Sequence, residues 1–378
     1  MAAKQKWKIG VACYPTAGGS GVVATELGLA LARRGHEVHF FSYASPVRLR
    51  AYEEQAFYHG VEVSAYPLFK YPPYDVALAS CMAEVVEDAQ LDLLHVHYAI
   101  PHAISAYLAI QAVPNVKTRF ITTLHGTDIT LVGAERAYFR ITKFAIEQSH
   151  GVTAVSHYLS DETRRIFHTT KDIRVLHNFV DTETFRPRQC SGVRGRFARP
   201  DEKLLIHISN MRPVKRITDV VRMFHRVQQE LPSRLLMVGD GPDRGAAEAL
   251  ARELGIERKL SFVGGQEDIP EFLCAADGFL LPSEFETFGL SALEAMACGV
   301  PVFITRVGGT AELINDGVEG RLIMPGDIEG AAKAMVEVFR DDKRRAAMGQ
   351  AARVRAESHF ALDKMVDQYE AYYAEITR

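Results

Sequence analysis

The chain carries no framework of cross-links. Its five cysteines, Cys13, Cys81, Cys190, Cys274 and Cys298, are odd in number, far apart and without CxxC spacing. Neither a disulfide scaffold nor a zinc site is indicated, and they read as reduced residues, mostly core. No window approaches the roughly eighteen uninterrupted apolar residues of a membrane-spanning helix. The N-terminal MAAKQKWK runs straight into IGVACY with no long apolar region or cleavage site. A cytoplasmic protein without an integral membrane segment is therefore expected. A charge excess is missing too: the net charge is −3, with both signs mixed along the chain. This leaves no electrostatic footprint for nucleic acid, so any bound phosphate must meet local positive charge. There is no GxGxxG and no Walker lysine, which excludes P-loop chemistry and leaves a dinucleotide site weakly supported. Internal repeats and low-complexity segments are also absent.

What is present is an ordinary globular composition, 47% apolar and 24% charged, over 378 residues. That length exceeds the roughly 250 to 300 residues at which single cores stop growing, so two domains are expected, with a ligand cleft between them. Short apolar runs alternate with helical patterns. In the first half the strand candidates are 8–13, 37–43, 93–97, 119–124, 151–155 and 173–176, with a helix such as 21–34 between them. After a stretch rich in arginine, proline and glycine, 186–201, a second series runs through 204–208, 234–239, 260–263, 278–281 and 300–304. Strands alternating with helices imply parallel βαβ units, so the spacing predicts an α/β protein of two doubly wound domains, 1–185 and 186–357. The tail carries Phe360, Met365, Tyr369, Tyr372 and Tyr373 on one broad helical face and is expected to dock as a helix, 358–378, on a domain that the periodicity leaves open.

Three segments carry chemistry. EFETFGLSALEAMACGVPV, from Glu284 to Val302, places Glu286 and Glu294 eight positions apart around a turn that opens a helix. The N–H groups of Phe288, Gly289 and Leu290 suit an anion, while the carboxylates would repel a phosphate and instead suit hydroxyls on the same ligand. A ligand with both is a nucleotide sugar; a buried amphipathic helix with two incidental acids is the alternative. Gly18-Gly19-Ser20-Gly21 follows the first strand and opens the first helix, as a diphosphate-approach loop or as a plain tight turn. Ser209-Asn210-Met211-Arg212-Pro213-Val214-Lys215-Arg216 ends the first strand of the second series with three cations in five residues. These either neutralise a departing diphosphate or form a solvated basic turn. His125-Gly126-Thr127-Asp128 ends another strand. His125 there would face a cleft and donate or transfer a proton, while Thr127 and Asp128 fit equally well as a cap for the next helix. His95 and His97, at period two on a strand, could share a face for metal, but no third ligand is evident.

EFETFGLSALEAMACGVPV, together with VGDGP at 238–242 and FVGG at 262–265, resembles the family-4 retaining glycosyltransferases of the GT-B fold, over essentially the whole chain. CYPTAGGSGVVATELGLALARRGHEVHF, TTLHGTDITLVG and SNMRPVKR narrow the likeness to the branch that moves N-acetylglucosamine from a UDP-sugar to the hydroxyl of L-malate in bacillithiol biosynthesis. The resemblance implies two Rossmann-like domains: an N-terminal acceptor side completed by the C-terminal helix, and a C-terminal nucleotide-sugar side. It implies retention at the anomeric carbon, no metal and no cofactor. By it Glu294 holds the ribose hydroxyls and Glu286 the sugar hydroxyls. Phe288, Gly289, Leu290 and Lys215 meet the diphosphate, with Gly19, Asn210, Arg212 and Gly264 completing the donor site. His125, Glu286 and Lys215 are the catalytic candidates, the carbonyl beside His125 steadying an oxocarbenium-like transition state while the departing phosphate takes the acceptor proton. Asn210 stands where the family pattern has arginine, so the second phosphate contact falls to Arg212 or Arg216. A dianionic acceptor needs positive charge and hydroxyl donors; Ser20, Tyr98, Thr123, Lys143 and Asn178 are the candidates by motif position. Lys143 has a second reading as an exposed helix cation. The other readings are a different UDP-sugar transferase with another small-molecule or lipid acceptor, and a noncatalytic sugar-nucleotide sensor. The sequence leaves homo-oligomerisation open.

Overall fold

The computed structural model describes residues 5–16, 18–49, 54–64 and 67–378. They form two compact units, one of 1–178 with 362–378 and one of 179–361. The expected divide was 185/186. The chain joins the second unit earlier because Val180 N donates to Phe360 O at 2.9 Å and the buried Phe185 offers its carbonyl to Arg353 at 2.6 Å.

The first unit holds a seven-stranded sheet made of β1 (Lys8–Ala12), β2 (Glu37–Ser42), β3 (Ala56–Gly60), β4 (Leu93–His97), β5 (Arg119–Leu124), β6 (Gly151–Ala154) and β7 (Arg174–Val175). The strand order is β3-β2-β1-β4-β5-β6-β7 and every pair is parallel. The second unit repeats the plan with β8 (Lys203–Ile208), β9 (Ser233–Val238), β10 (Leu260–Phe262), β11 (Gly278–Leu281), β12 (Val302–Thr305) and β13 (Gly320–Ile323), in the order β10-β9-β8-β11-β12-β13, again all parallel. The expectation of two doubly wound α/β halves holds. Central strands such as LLHVH and GFLL are buried at every position, which is what helices on both faces of a parallel sheet produce.

Two strands were absent from the sequence reading, and both are edges. β3 is largely exposed, Phe57 and Tyr58 included, and its apolar run is only three residues long. β13 reads GRLI, and a Cβ on its Gly320 would lie 2.0 Å from Val302 O, so close strand approach rather than hydrophobicity sets its sequence. The segment expected as an aperiodic join contains a short helix, Ser191–Phe197, with no buried residue.

The tail helix, Leu362–Ile376, packs in the first unit and buries Met365, Tyr369, Tyr372 and Tyr373. Arg34, at the end of the helix Ser20–Arg33, meets Asp367 at 2.6 Å and Glu370 at 3.2 Å, and the buried His36 lies 2.9 Å from Glu370. Phe360 does not share that face; it packs edge-on against Phe288 in the second unit, centroids 5.5 Å apart. Among the described residues no helix is long and apolar enough to cross a membrane.

Candidate active site

In a doubly wound sheet the strand order reverses at one point, and the loops leaving the carboxyl ends of the two strands there diverge to leave a crevice. In the second unit that point lies between β8 and β11. The loop after β8 is Ser209–Arg212 with the single turn Pro213–Lys215; the loop after β11 is Pro282–Gly289, opening the helix Leu290–Ala297. Glu284 N donates to Val214 O at 2.8 Å and joins them. Lys215 pairs with Glu286 Oε1, which also accepts from Ser283 Oγ at 2.9 Å. The two sequence candidates are therefore one ion pair, only partly exposed.

The rest of the frame is backbone. A Cβ on Gly239 would sit 1.9 Å from Ser209 O, and one on Gly241 2.0 Å from Asn210 O, so VGDGP lies directly on the turn and only glycine fits. Gly239 N donates to Gly264 O at 2.7 Å, bringing FVGG to the same place. Gly264 has φ +70 and open space where a side chain would stand. His207, which the sequence reading passed over, fixes the loop from below. Its Nδ1–H donates to Leu280 O at 2.8 Å, so Nε2 accepts from Ser209 Oγ at 2.7 Å, and Ser209 Oγ accepts from Met211 N at 3.1 Å. Burial holds this imidazole down to about 4, so it stays neutral at pH 7.

Gly289, with φ +98, turns the chain into the helix Leu290–Ala297; neither its N–H nor that of Leu290 has a partner among the described residues, and no side chain caps the helix. Unpaired amides at a helix start are anion donors. Phe288 is buried and anchors the turn. Glu294 follows one turn along the helix, half-buried. Of the two candidate arginines, Arg216 is committed to Asp219 at 2.6 Å, whereas the exposed guanidinium of Arg212 has no partner among the described residues. Asn210 is exposed beside it.

The first unit reverses between β1 and β4. After β1, Gly18 and Gly19 leave open space where side chains would stand, Gly19 has φ +61, and the helix starting at Ser20 follows. A Cβ on Gly21 would lie 2.5 Å from Tyr14 O, so the turn is close-packed from within. Ala17 lies outside the described residues. After β4, Tyr98 takes φ 91, its N–H donating to Thr123 O at 2.9 Å and its ring meeting Tyr14 and His125 at 5.3 and 5.4 Å. His125 Nε2 lies 2.9 Å from His97 Nδ1, and His97 stacks on His95, centroids 4.5 Å apart. His102 donates from Nδ1 to His97 O, which leaves its buried Nε2, like that of His97, without a partner among the described residues. Burial drives these rings down, His125 and His95 to about 3, His102 to about 4 and His97 well below its usual range, so the stack is neutral at pH 7. Protonating His125 at pH 7 would cost about 5 kcal/mol.

Asp128 does not cap the next helix, as one reading had it. Its Oδ1 accepts from the N–H groups of His125 and Gly126 at 3.2 and 2.9 Å and its Oδ2 from Ala99 N at 2.9 Å, so it clamps the loops after β4 and β5 together. Burial pushes it up to about 6 against those three bonds. His95 spends its nitrogens on Tyr373 at 2.7 Å and Thr123 at 2.6 Å, and among the described residues no three-ligand metal cluster includes it or His97. Thr123 is fully buried, bonded also to Thr153 at 2.7 Å, and lies inside the sheet rather than on a ligand surface. Lys143 donates to Phe167 O at 2.8 Å and His168 O at 3.3 Å, capping the helix His157–Phe167. Asn178 is buried, its Oδ1 without a partner among the described residues.

Two family models match: Glycosyltransferase Family 4 over residues 17–184 and Glycosyl transferases group 1 over 194–355. The N-acetyl-alpha-D-glucosaminyl L-malate synthase of Bacillus anthracis is 46% identical over 374 residues, covering 99% of this chain and 98% of its own. A GDP-mannose-dependent alpha-(1-6)-phosphatidylinositol monomannoside mannosyltransferase of Mycolicibacterium smegmatis is 28% identical over 82% of each chain. Among solved structures, a glycosyltransferase from Rickettsia africae superposes with a TM-score of 0.84 at 21% identity over 99% of both chains. The Anabaena protein HepE, in complex with UDP and glucose, does so with 0.79 at 20% identity over 97% of this chain and 99% of its own.

Proposed function

From a chain that belongs to the family-4 glycosyltransferases of the GT-B fold, we propose an activity: transfer of N-acetylglucosamine from UDP-N-acetylglucosamine to the hydroxyl of L-malate, with retention and without a metal. The observation that carries this is the end-to-end 46% identity to the Bacillus anthracis malate synthase. The loop SNMRPVKR and the Lys215–Glu286 pair supply the chemistry to go with it.

In the second unit the diphosphate meets the amides of Gly289 and Leu290 and the side chains of Lys215 and Arg212. These donors stabilise the charge that grows on the β-phosphate as the bond from the anomeric carbon to its oxygen breaks. Glu294 takes the ribose hydroxyls and Glu286 the sugar hydroxyls. Lys215 neutralises Glu286, so this carboxylate does not oppose the diphosphate. Asn210 and the open backbone of Gly264 leave room for the donor; Gly19 does the same on the first unit.

The first unit takes the acceptor. Ser20, Tyr98 and Asn178 are its polar contacts, the orphaned Asn178 oxygen accepting a hydroxyl. His125 is a hydrogen-bond partner of the sugar rather than a base: an imidazole held near 3 is too weakly basic to take a proton from an alcohol at pH 7. The acceptor proton passes instead to the departing phosphate oxygen as the new bond from the anomeric carbon to the malate oxygen forms, and UDP leaves.

A UDP-release assay across hydroxy acids, polyols and lipid acceptors tests the reading. Turnover is expected with UDP-N-acetylglucosamine and L-malate, giving an α-glycoside by the anomeric proton coupling. Turnover with another acceptor alone replaces malate and keeps the transferase; a β-product overturns retention.

A further inference from the structure

The helix Phe139–Gln148, FRITKFAIEQ, has two faces. Thr142, Ala145 and Ile146, at spacings of three and four, are buried. Arg140, Phe144 and Glu147 lie on the opposite side with Ile141 beside them, and all four are exposed. The neighbouring helix Ile104–Ala112, ISAYLAIQA, has no charged residue and buries only Ser105, Ala106 and Ala109. The two helices meet where Tyr107 packs edge-on against Phe144, centroids 5.1 Å apart, and Leu108, the next residue, is exposed.

Turns ahead of the first helix add to the same surface. Glu135 N donates to Val132 O at 3.1 Å and Tyr138 N to Glu135 O at 2.9 Å, which folds Val132 back toward the helix start. Leu108, Val132, Tyr138, Ile141 and Phe144 are each between 36% and 50% exposed. An uncharged helix belongs in an interior, and an apolar surface of this kind on a globular chain marks an interaction site.

The charges say what covers it. Arg140 stands near the start of the exposed stripe and Glu147 near its end, about 10 Å along the axis. Arg140 has no ion-pair partner among the described residues. Glu147 meets Lys143 through Oε1, at 3.4 Å, and its side chain is 40% exposed. A membrane surface calls for cations along the whole polar edge. Opposite charges at the two ends, with apolar side chains between, instead complement the same stripe run the other way.

We propose that this face is the interface of a two-fold symmetric dimer, in which the helix Phe139–Gln148 packs antiparallel on its copy. The axis passes beside Phe144, midway between Arg140 and Glu147. Phe144 and Ile141 of each subunit meet those of the other, and Arg140 faces Glu147 of the partner subunit once on each side of the axis. Leu108, Val132 and Tyr138 extend the contact. Such an isologous contact closes on itself and stops at two copies. The two helices leave the loops after β4 and β5, so the dimer braces the elements that carry His97 and His125. None of this depends on the identity of the sugar donor or the acceptor.

The test is the mass of the full-length protein in solution, by sedimentation velocity at micromolar concentrations. A species of twice the 42.0 kDa chain is expected. Phe144→Glu should leave a monomer with unchanged circular dichroism, since the side chain replaced is exposed. Arg140→Glu and Glu147→Arg should each raise the dissociation constant about tenfold or more, because the symmetry places the like-charge contact twice. The double variant, which restores the pair with its signs exchanged, should dimerise again. A monomeric native protein overturns the proposal, and its cosedimentation with phosphatidylglycerol vesicles would then assign the face to a membrane. A dimer that tolerates both Phe144→Glu and Arg140→Glu places the interface elsewhere, and a double variant that stays monomeric overturns the antiparallel register.

Discussion

The crevices at the strand-order reversals of the two sheets share a topology and almost nothing else. After β8 and β11 the second unit presents an exposed arginine, a half-buried lysine–glutamate pair and the open amides of a helix start. In the first unit the reversal lies between β1 and β4, and the loops after β4 and its neighbour β5 present a stack of buried, neutral imidazoles tied to a buried aspartate and to a tyrosine of the tail helix. One fold thus supports a charged surface suited to a diphosphate and an uncharged floor that supplies hydrogen bonds without a strong base. The difference arises below the surface: His207 in the second unit holds a loop that carries three cations, whereas in the first unit the polar groups themselves are the core.

Acid should separate the two most widely. A buried histidine whose folded pKa lies below its usual value near 6.5 contributes stability that is complete above that value and is lost as pH falls, because the unfolded chain takes the proton first. Between pH 6.5 and 5 a ring held at about 3 or 4 forfeits about 2 kcal/mol. The first unit carries four, His95, His97, His102 and His125, and the second has His207. Asp128 works the other way: raised to about 6, it favours the fold at low pH and regains about 1 kcal/mol at pH 5. The histidines win. Amide hydrogen exchange at pH 7 and pH 5, corrected for intrinsic rates, should show β4 and β5 losing more protection than β8, β9 and β11; equal losses would erase the contrast.

Next in size is Lys215→Ala. If the second unit stabilises the leaving diphosphate, kcat should fall about 10²- to 10³-fold with the circular dichroism unchanged. An unaltered kcat would reduce the residue to the partner of Glu286.

How much of this contrast was legible from sequence follows from its physics. The central strands could be read because burial on both faces leaves apolar runs, and the edges β3 and β13 could not because half-exposed strands need none. Glu286, Lys215 and Gly289 could be read because local turn chemistry and charge announce them. His207 and the clamping role of Asp128 were hidden because their partners lie far along the chain: 73 residues for His207 and Leu280, 29 for Asp128 and Ala99. Thr123 shows the converse error, a strand-end hydroxyl that looks available in sequence and is consumed by His95 and Thr153.

Arg212 and Arg216 sharpen the charged side of the comparison. The sequence could not choose between them, and the Arg216–Asp219 pair favours Arg212 as the cation offered to the ligand. Arg212→Ala should lower kcat/KM about tenfold, some 1.4 kcal/mol of transition-state binding, and Arg216→Ala distinctly less. Equal losses would return the second phosphate contact to both.

The smallest effect falls on the neutral side, at Lys143. As an acceptor ligand, its loss would raise the KM for a dianion, since no other candidate of the first unit, Ser20, Tyr98, Thr123 or Asn178, carries positive charge. As placed, its ammonium caps the carbonyls of Phe167 and His168 and pairs with Glu147 at 3.4 Å, half-exposed. A helix-end cation of that kind contributes about 0.5 to 1 kcal/mol. Lys143→Ala should therefore lower the urea midpoint slightly and leave the KM for the acceptor unchanged. A tenfold rise in that KM at unchanged stability would mean that the first unit recognises its acceptor by charge after all, and the contrast between the two crevices would narrow to their floors.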